Sequence, residues 1–200
     1  EFLFLSHEHM DHLWGLPATF KYRPDITIRV SSTLNAEGRE LIRQSGHTGQ
    51  LVVSGPWKIV PIFPGCASVT FNIPIILKTF GEQVLFFNLK DKGLVIVTGC
   101  CHMGIVNLLE FARENIQGGD KVYGIFGGLH ISPFDKWDDE QDDIVEELAK
   151  YGIKKMGCHH CTGYLALEKM LEKGMPVVKG SGKHGSKRDI YLGNGDEIEF

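Results

Sequence analysis

Four side chains able to hold a metal ion fall within six consecutive residues: His7, His9, Asp11 and His12. Neutral imidazole and carboxylate are borderline-to-hard donors suited to Zn²⁺, Mn²⁺ or Fe. Donors this crowded do not all converge on one ion. The economical arrangement gives His7 and His9 to one metal, and Asp11 and His12 to its neighbour. Without a metal, the same run is a surface or catalytic loop of histidines. The metal reading is favoured because remote histidines supply the missing ligands. These are His102, His130 and the pair His159 and His160, each just past an apolar run. His102 and His160 are read as ligands, with His159 the competitor for the second place. His130 suits either ligation or contact with substrate. His47 and His184 have no such context and are assigned to the surface.

The elements that must position these side chains follow from apolar patterning. Glu1–Leu5 reads as a buried strand that opens into the histidine run. It reads as a strand already under way, so further strands of a first sheet are expected ahead of it. Leu13–Phe20 suits a helix or turn limited by Pro17, Ile26–Val30 a strand, and Leu34–Gln44 a helix. Leu51–Val53, Trp57–Phe63 and Val69–Ile76 read as strands. Val84–Asn88 and Leu94–Thr98 form a hairpin around Lys90–Gly93. The second half then repeats strand, polar turn, helix. Its strands are Leu94–Thr98, Val122–Phe126 and Ile153–Gly157. Its helices are Ile105–Asn115, Asp138–Tyr151 and Tyr164–Lys173. Val177–Val178 and Ile190–Phe200 close the chain as extended structure. This is a mixed α/β pattern, read as one domain over residues 1–200. Ligands in such layered folds gather where strand ends meet helix starts, so histidines at several such turns suggest one shared site.

The run His7-x-His9-x-Asp11-His12, followed by Leu13–Leu16, resembles the signature of the metallo-β-lactamase superfamily. The segment Thr98–Asn107 is similar to a "TGC-S/A-HAGIVN" segment of one subfamily. Gly127–His130 and His160–Gly163 resemble its "GGFH" and "HCTG" segments. That subfamily includes the archaeal dihydropteroate-synthase-like enzyme of methanopterin biosynthesis and many metal-dependent hydrolases. The resemblance implies an αββα sandwich, here without the N-terminal part of its first sheet. It also implies two divalent metal ions, zinc first, with manganese or iron as alternatives. The implied ligands are His7, His9, Asp11, His12, His102 and His160, with Asp11 and His130 in catalytic roles. The sequence departs from the superfamily where an aspartate commonly bridges the metals: Cys100 stands there. The subfamily keeps Cys beside a ligand-type His, which implies His102 as the donor and Cys100 as packing. Cys158 and Cys161, spaced Cys-x-x-Cys, lack a second pair for a zinc ribbon and are read as strand-end packing.

Composition narrows the function classes. The net charge of −4 gives no bulk reason to expect nucleic-acid binding. The basic stretch Lys179–Arg188 reads as a solvated loop. Five irregularly spaced cysteines argue against a disulfide framework and for a reducing, cytoplasmic setting. No apolar run approaches the length of a membrane span. The expected partner is a small-molecule substrate. Three functions follow, in this order. The first is a hydrolase in which metal-bound hydroxide attacks a phosphoester, ester or lactam-like bond. The second is a transferase condensing a pterin diphosphate with an arylamine. The third is a metal-carrying redox or binding domain.

Overall fold

Phe2–Phe4 (β1), Thr27–Ser31 (β2) and Leu51–Ser54 (β3) pair in parallel, in that order, as a three-stranded sheet. Along β2 the pattern alternates: Ile28 and Val30 are fully buried, and Thr27 and Arg29 are half-buried. A period of two is what a strand with one covered face requires. Three helices follow the same logic: Met10–Leu13 (α1), Leu16–Tyr22 (α2) and Ala36–Gln44 (α3). They bring Leu13, Leu16, Phe20 and Ile42 into one cluster with Leu5, Ile28, Val30 and Leu34. Burying each such side chain contributes about 1.5–3 kcal/mol. This cluster, and not the propensity of a four-residue helix, therefore holds α1 in place.

The computed structural model describes residues 1–183 and 188–200. The chain forms two compact units, Glu1–Ile62 with Ala67–Val84, and Phe63–Cys66 with Leu85–Phe200. The first unit continues through Val60–Phe63 (β4) and Cys66–Ile75 (β5), then a 3₁₀ turn at Ile76–Lys78, into Thr79–Leu89 (β6). In the second unit the end of β6 pairs antiparallel with Gly93–Val97 (β7), from Leu85 opposite Val97 to Leu89 opposite Gly93. The intervening turn places Asp91 at a φ of 64°, a left-handed conformation that Asp tolerates better than most residues. Parallel to β7 runs Val122–Gly127 (β8), and parallel to β8 runs Lys155–Cys158 (β9). Ile105–Asn115 (α4) and Asp139–Lys150 (α5) make the crossovers that parallel pairing demands, and Tyr164–Glu172 (α6) follows β9. Leu94, Val95 and Ile96 are all buried in β7, as expected of a strand covered on both faces. The fold class is mixed α/β with two sheets, consistent with the sandwich that the sequence resemblance implies.

Two segments differ from the sequence reading. Val60–Phe63 alone forms the strand expected over Trp57–Phe63, because Trp57 sits in a turn at a φ of 57°. Ile190–Phe200 contains no strand. There the Asp196 carboxylate accepts hydrogen bonds from the backbone N–H of Gly193 (2.8 Å) and of Ser181 (3.2 Å), which folds the segment into turns. His184 lies outside the described residues, as does part of Lys179–Arg188. Among the described residues no helix is long and apolar enough to cross a membrane.

Helix α3 is tied to the histidine run through its cap. The Asn35 side chain accepts from the Gly38 N–H at 2.7 Å, and the Asn35 N–H donates to Glu8 Oε2 at 2.9 Å. Replacing such a cap by Ala typically costs about 1 kcal/mol. Asn35→Ala should therefore lower the urea-unfolding free energy by about that amount. An unchanged transition midpoint would show that the cap contributes nothing.

Candidate metal centre

The first donor set is built where the chain leaves β1. Gln83, fully buried, holds that exit: its side-chain amide donates to the Leu5 carbonyl at 2.8 Å, and its backbone N–H to the Ser6 carbonyl at 2.7 Å. The imidazoles that follow are arranged by specific partners. Ser6 Oγ lies 3.0 Å from His7 Nδ1 and 3.5 Å from His12 Nδ1. His9 Nε2 lies 3.1 Å from the Ile76 carbonyl oxygen and 3.0 Å from Thr79 Oγ1. A carbonyl can only accept, so His9 carries its proton on Nε2 and presents a lone pair at Nδ1. That lone pair faces His7 Nε2 at 3.1 Å. Two nitrogens bound to one tetrahedral zinc, each at about 2.0–2.1 Å, are about 3.3 Å apart. The His7 and His9 pair is thus spaced as a two-nitrogen fragment of such a site.

The His12 ring packs against His7 at a centroid distance of 4.1 Å, and His12 Nε2 lies 3.7 Å from Asp11 Oδ2. His7 and His9 are buried; Asp11 is exposed. Glu8, buried between them in sequence, turns instead to the start of α3, and burial pushes its carboxyl above the usual range. A cleft of 280 Å³ borders this set, lined in part by Glu8, His9, Met10, Leu41 and Thr79.

The second donor set occupies the turns after β7, β8 and β9. Because these strands are parallel, with Val97 opposite Phe126 and Gly127 opposite Cys158, their C-terminal ends lie side by side. The turns are bonded to one another. Thr98 Oγ1 donates to the Gly128 carbonyl at 2.7 Å, and the Gly128 N–H to the Gly99 carbonyl at 3.1 Å. The Leu129 N–H donates to Thr162 Oγ1 at 3.0 Å, and the His159 N–H to the Gly127 carbonyl at 3.2 Å. Each turn also places one non-glycine residue in the left-handed region: Cys101 at a φ of 64°, His130 at 50° and His160 at 55°. Such strain persists where the surroundings over-determine it, and it concentrates at functional sites.

Within these turns His102 packs its ring 4.6 Å from that of His130. His159 stacks edge-on against Phe126 at 5.0 Å, and burial depresses its pKa, whereas His160 is exposed. Cys100, His130 and Cys161 offer donor atoms that all lie within 4.8 Å of one another. Contacts with Cys100 and His130 outweigh burial and pull the Cys161 thiol down to about 5. Cys158 is the contrast: burial alone pushes its thiol up to about 12. Both cysteines are buried, as a packing role requires, and they differ in their neighbours. The Cys-x-x-Cys spacing, read as strand-end packing, carried no signal of a neighbour for Cys161. The actual neighbour, Cys100, comes from another strand. Ser6, Thr79 and Gln83 carried no sequence signal at all. His47, assigned to the surface, is half-buried with Nε2 2.8 Å from the Ile26 carbonyl oxygen, a structural role.

The chemistry of both donor sets fits divalent metal. The first offers imidazole nitrogens at ligand spacing, and the second adds thiols and further imidazoles in bonded turns.

No family model matches the chain. It is 28% identical, over 86% of its length and 70% of the relative's, to 7,8-dihydropterin-6-methyl-4-(β-D-ribofuranosyl)-aminobenzene-5′-phosphate synthase of Methanocaldococcus jannaschii. An uncharacterized protein of the same organism is 30% identical over 46% of this chain and 33% of its own length. Among solved structures, zinc-bound PqqB from Methylobacterium extorquens aligns with a TM-score of 0.45 and 13% identity. That alignment covers 87% of this chain and 58% of PqqB. The four ordered motifs of the chain resemble those of the metallo-β-lactamase superfamily, and one relative is matched over most of the chain's length.

Partners that orient a ligating imidazole usually matter 10–100-fold to metal affinity. Ser6→Ala should therefore weaken metal binding by about 10–100-fold in competition with a chromophoric chelator, with an unchanged circular dichroism spectrum. Unaltered affinity would show that the Ser6 hydroxyl does not orient a ligand.

Proposed function

We propose that this chain is a metal-dependent hydrolase of phosphoester, ester or lactam-like bonds in a small-molecule substrate. The observation that carries the reading is the His7 and His9 pair, with facing nitrogens 3.1 Å apart and the His9 tautomer set by the Ile76 carbonyl. The proposed ligands are His7, His9, Asp11 and His12 in the first unit and His102 and His160 in the second, for two divalent ions, zinc first, with manganese or iron as alternatives. When bound, two such ions would supply Lewis acidity and lower the pKa of a coordinated water to about 7.

The protein's own groups then have defined tasks. Thr79 and the Ile76 carbonyl keep the proton of His9 on the nitrogen turned away from His7. Asp11, with its exposed carboxylate, is a ligand that can also accept a proton from the attacking group. His130 lines a cleft of 640 Å³ beside Asn107, Ile131 and Ile144, where one face of its ring can orient substrate.

A second reading rests on one observation, the relative named as a synthase. In it, metal ions held by the same donors would bind a diphosphate leaving group, and an arylamine would attack in place of water. The two readings separate in one assay. The chelated and zinc-reloaded chain should cleave an activated phosphodiester or ester, at a rate that rises toward neutral pH. His9→Ala should lose most of that turnover. Activity strictly dependent on an amine acceptor, with no ester cleaved, would favour the transferase.

A further inference from the structure

We propose that the 280 Å³ cleft beside His9 seats the non-reacting end of the substrate, and that it selects an apolar body carrying a cationic nitrogen group, an amine or amidine. The inference deepens the hydrolase reading and rests on it only for where the reacting bond lies.

Three observations carry it. The first is a buried carboxylate with part of its bonding capacity unused. Glu8 is 8% exposed. Its Oε2 accepts from the Asn35 N–H at 2.9 Å, and among the described residues no hydrogen bond or ion pair engages its Oε1. That oxygen is not sealed from solvent, and the space beside it is this cleft. Glutamate is rarely buried so deeply without a partner, because taking a carboxylate out of water costs free energy that a paired cation offsets. Its place is set by Gly38, where a Cβ would lie 2.9 Å from Oε2. Glycine there lets the carboxylate rest against the first turn of α3.

The second observation is the sign of the charge. Glu37 lines the same cleft and makes no ion pair among the described residues. No lysine or arginine among the described residues lines it. Arg39, further along α3, commits its Nε to the Leu34 carbonyl at 3.2 Å. Two carboxylates on one cleft without a cation repel anionic groups and attract cationic ones.

The third observation is the apolar lining, supplied by Met10, Leu13, Leu41 and Leu77. Leu77 is 83% exposed and Met10 53%, so both present apolar surface that a ligand's body would cover. Leu77 is held there by left-handed backbone, at a φ of 62°, in the turn whose Ile76 carbonyl bonds His9. A bulky residue in that region is an outlier, and such strain collects at ligand clamps. The volume is at the small end of ligand pockets and suits a ring with its substituent, not a whole substrate. His9 lines the cleft too, so a group seated there leaves the bond to be cut beside the proposed metal.

The test is an amide NMR titration of the intact, zinc-loaded, isotope-labelled chain with benzamidine, and with benzamide as its neutral isostere. Benzamidine should shift the signals of Glu8, Asn35, Gly38 and Leu77. It should bind at least about tenfold more tightly than benzamide, the worth of one charge-assisted hydrogen bond. Glu8→Gln keeps an oxygen for the Asn35 N–H and removes the charge, so it should erase most of that preference. Glu37→Gln should lower the preference by about threefold, as an exposed charge does. Equal affinity for the two probes overturns the inference, and so do benzamidine shifts confined to residues outside the cleft. A preference that Glu8→Gln leaves intact overturns it too, or, where that variant does not fold, one that Glu37→Gln leaves intact. Binding is read here without turnover. A chain that seats benzamidine as expected but cleaves no ester therefore sinks the hydrolase reading alone. One that cleaves esters yet binds both probes equally sinks this inference alone.

Discussion

The parallel pairing of β7, β8 and β9 is the constraint on which the second unit's chemistry depends. Parallel strands end at the same edge, so the turns after Val97, Gly127 and Cys158 become neighbours although 30 residues or so separate them in sequence. Those turns cannot remain unbonded at a buried edge, since an unsatisfied backbone group there costs as much as a lost hydrogen bond. They are bonded to each other through Thr98, Gly128, Leu129 and Thr162. The donors ride on these turns: Cys100 and His102 on the first, His130 on the second, His160 and Cys161 on the third. Left-handed backbone at Cys101, His130 and His160 shows how far the chain is bent to aim them.

The first unit solves the same problem with side chains in place of neighbouring turns. Its histidine run leaves a parallel sheet through Leu5, and the buried amide of Gln83 satisfies the carbonyl freed there. Thr79 and the Ile76 carbonyl then fix one face of His9, and Ser6 fixes His7. A ligand whose tautomer is already set loses less freedom on binding metal. Both units therefore place their donors at the C-terminal ends of parallel strands.

Much of this was legible in the sequence. Helix α4 lies over Ile105–Asn115 as its apolar spacing indicated, and the three strand–turn–helix repeats are present. The strong signals were local: a dense donor run, β-branched strands, and an acidic helix start at Asp138 with its capping box. What was not legible depends on long-range register. Nothing near Cys161 announces Cys100, because their proximity follows from β9 and β7 both flanking β8. Gln83 and Thr79 are ordinary strand residues until folding sets them beside Leu5 and His9. The tail Ile190–Phe200 misled for the converse reason. Its alternating apolar residues pack without a ladder: Phe200 lies over Gly124 and Ile198 over Gly157, two positions of β8 and β9 that leave room for a side chain.

The central claim is that histidines aimed by these strand ends bind divalent metal, and metal stoichiometry tests it most directly. The chain would be stripped with a chelator, dialysed to equilibrium against zinc, and its metal measured by plasma emission spectroscopy against protein concentration. Tight uptake of divalent metal is expected, sharply reduced when His7 and His9 are both replaced by alanine. A folded chain that returns from dialysis metal-free, or whose uptake is the same in that double variant, would contradict it.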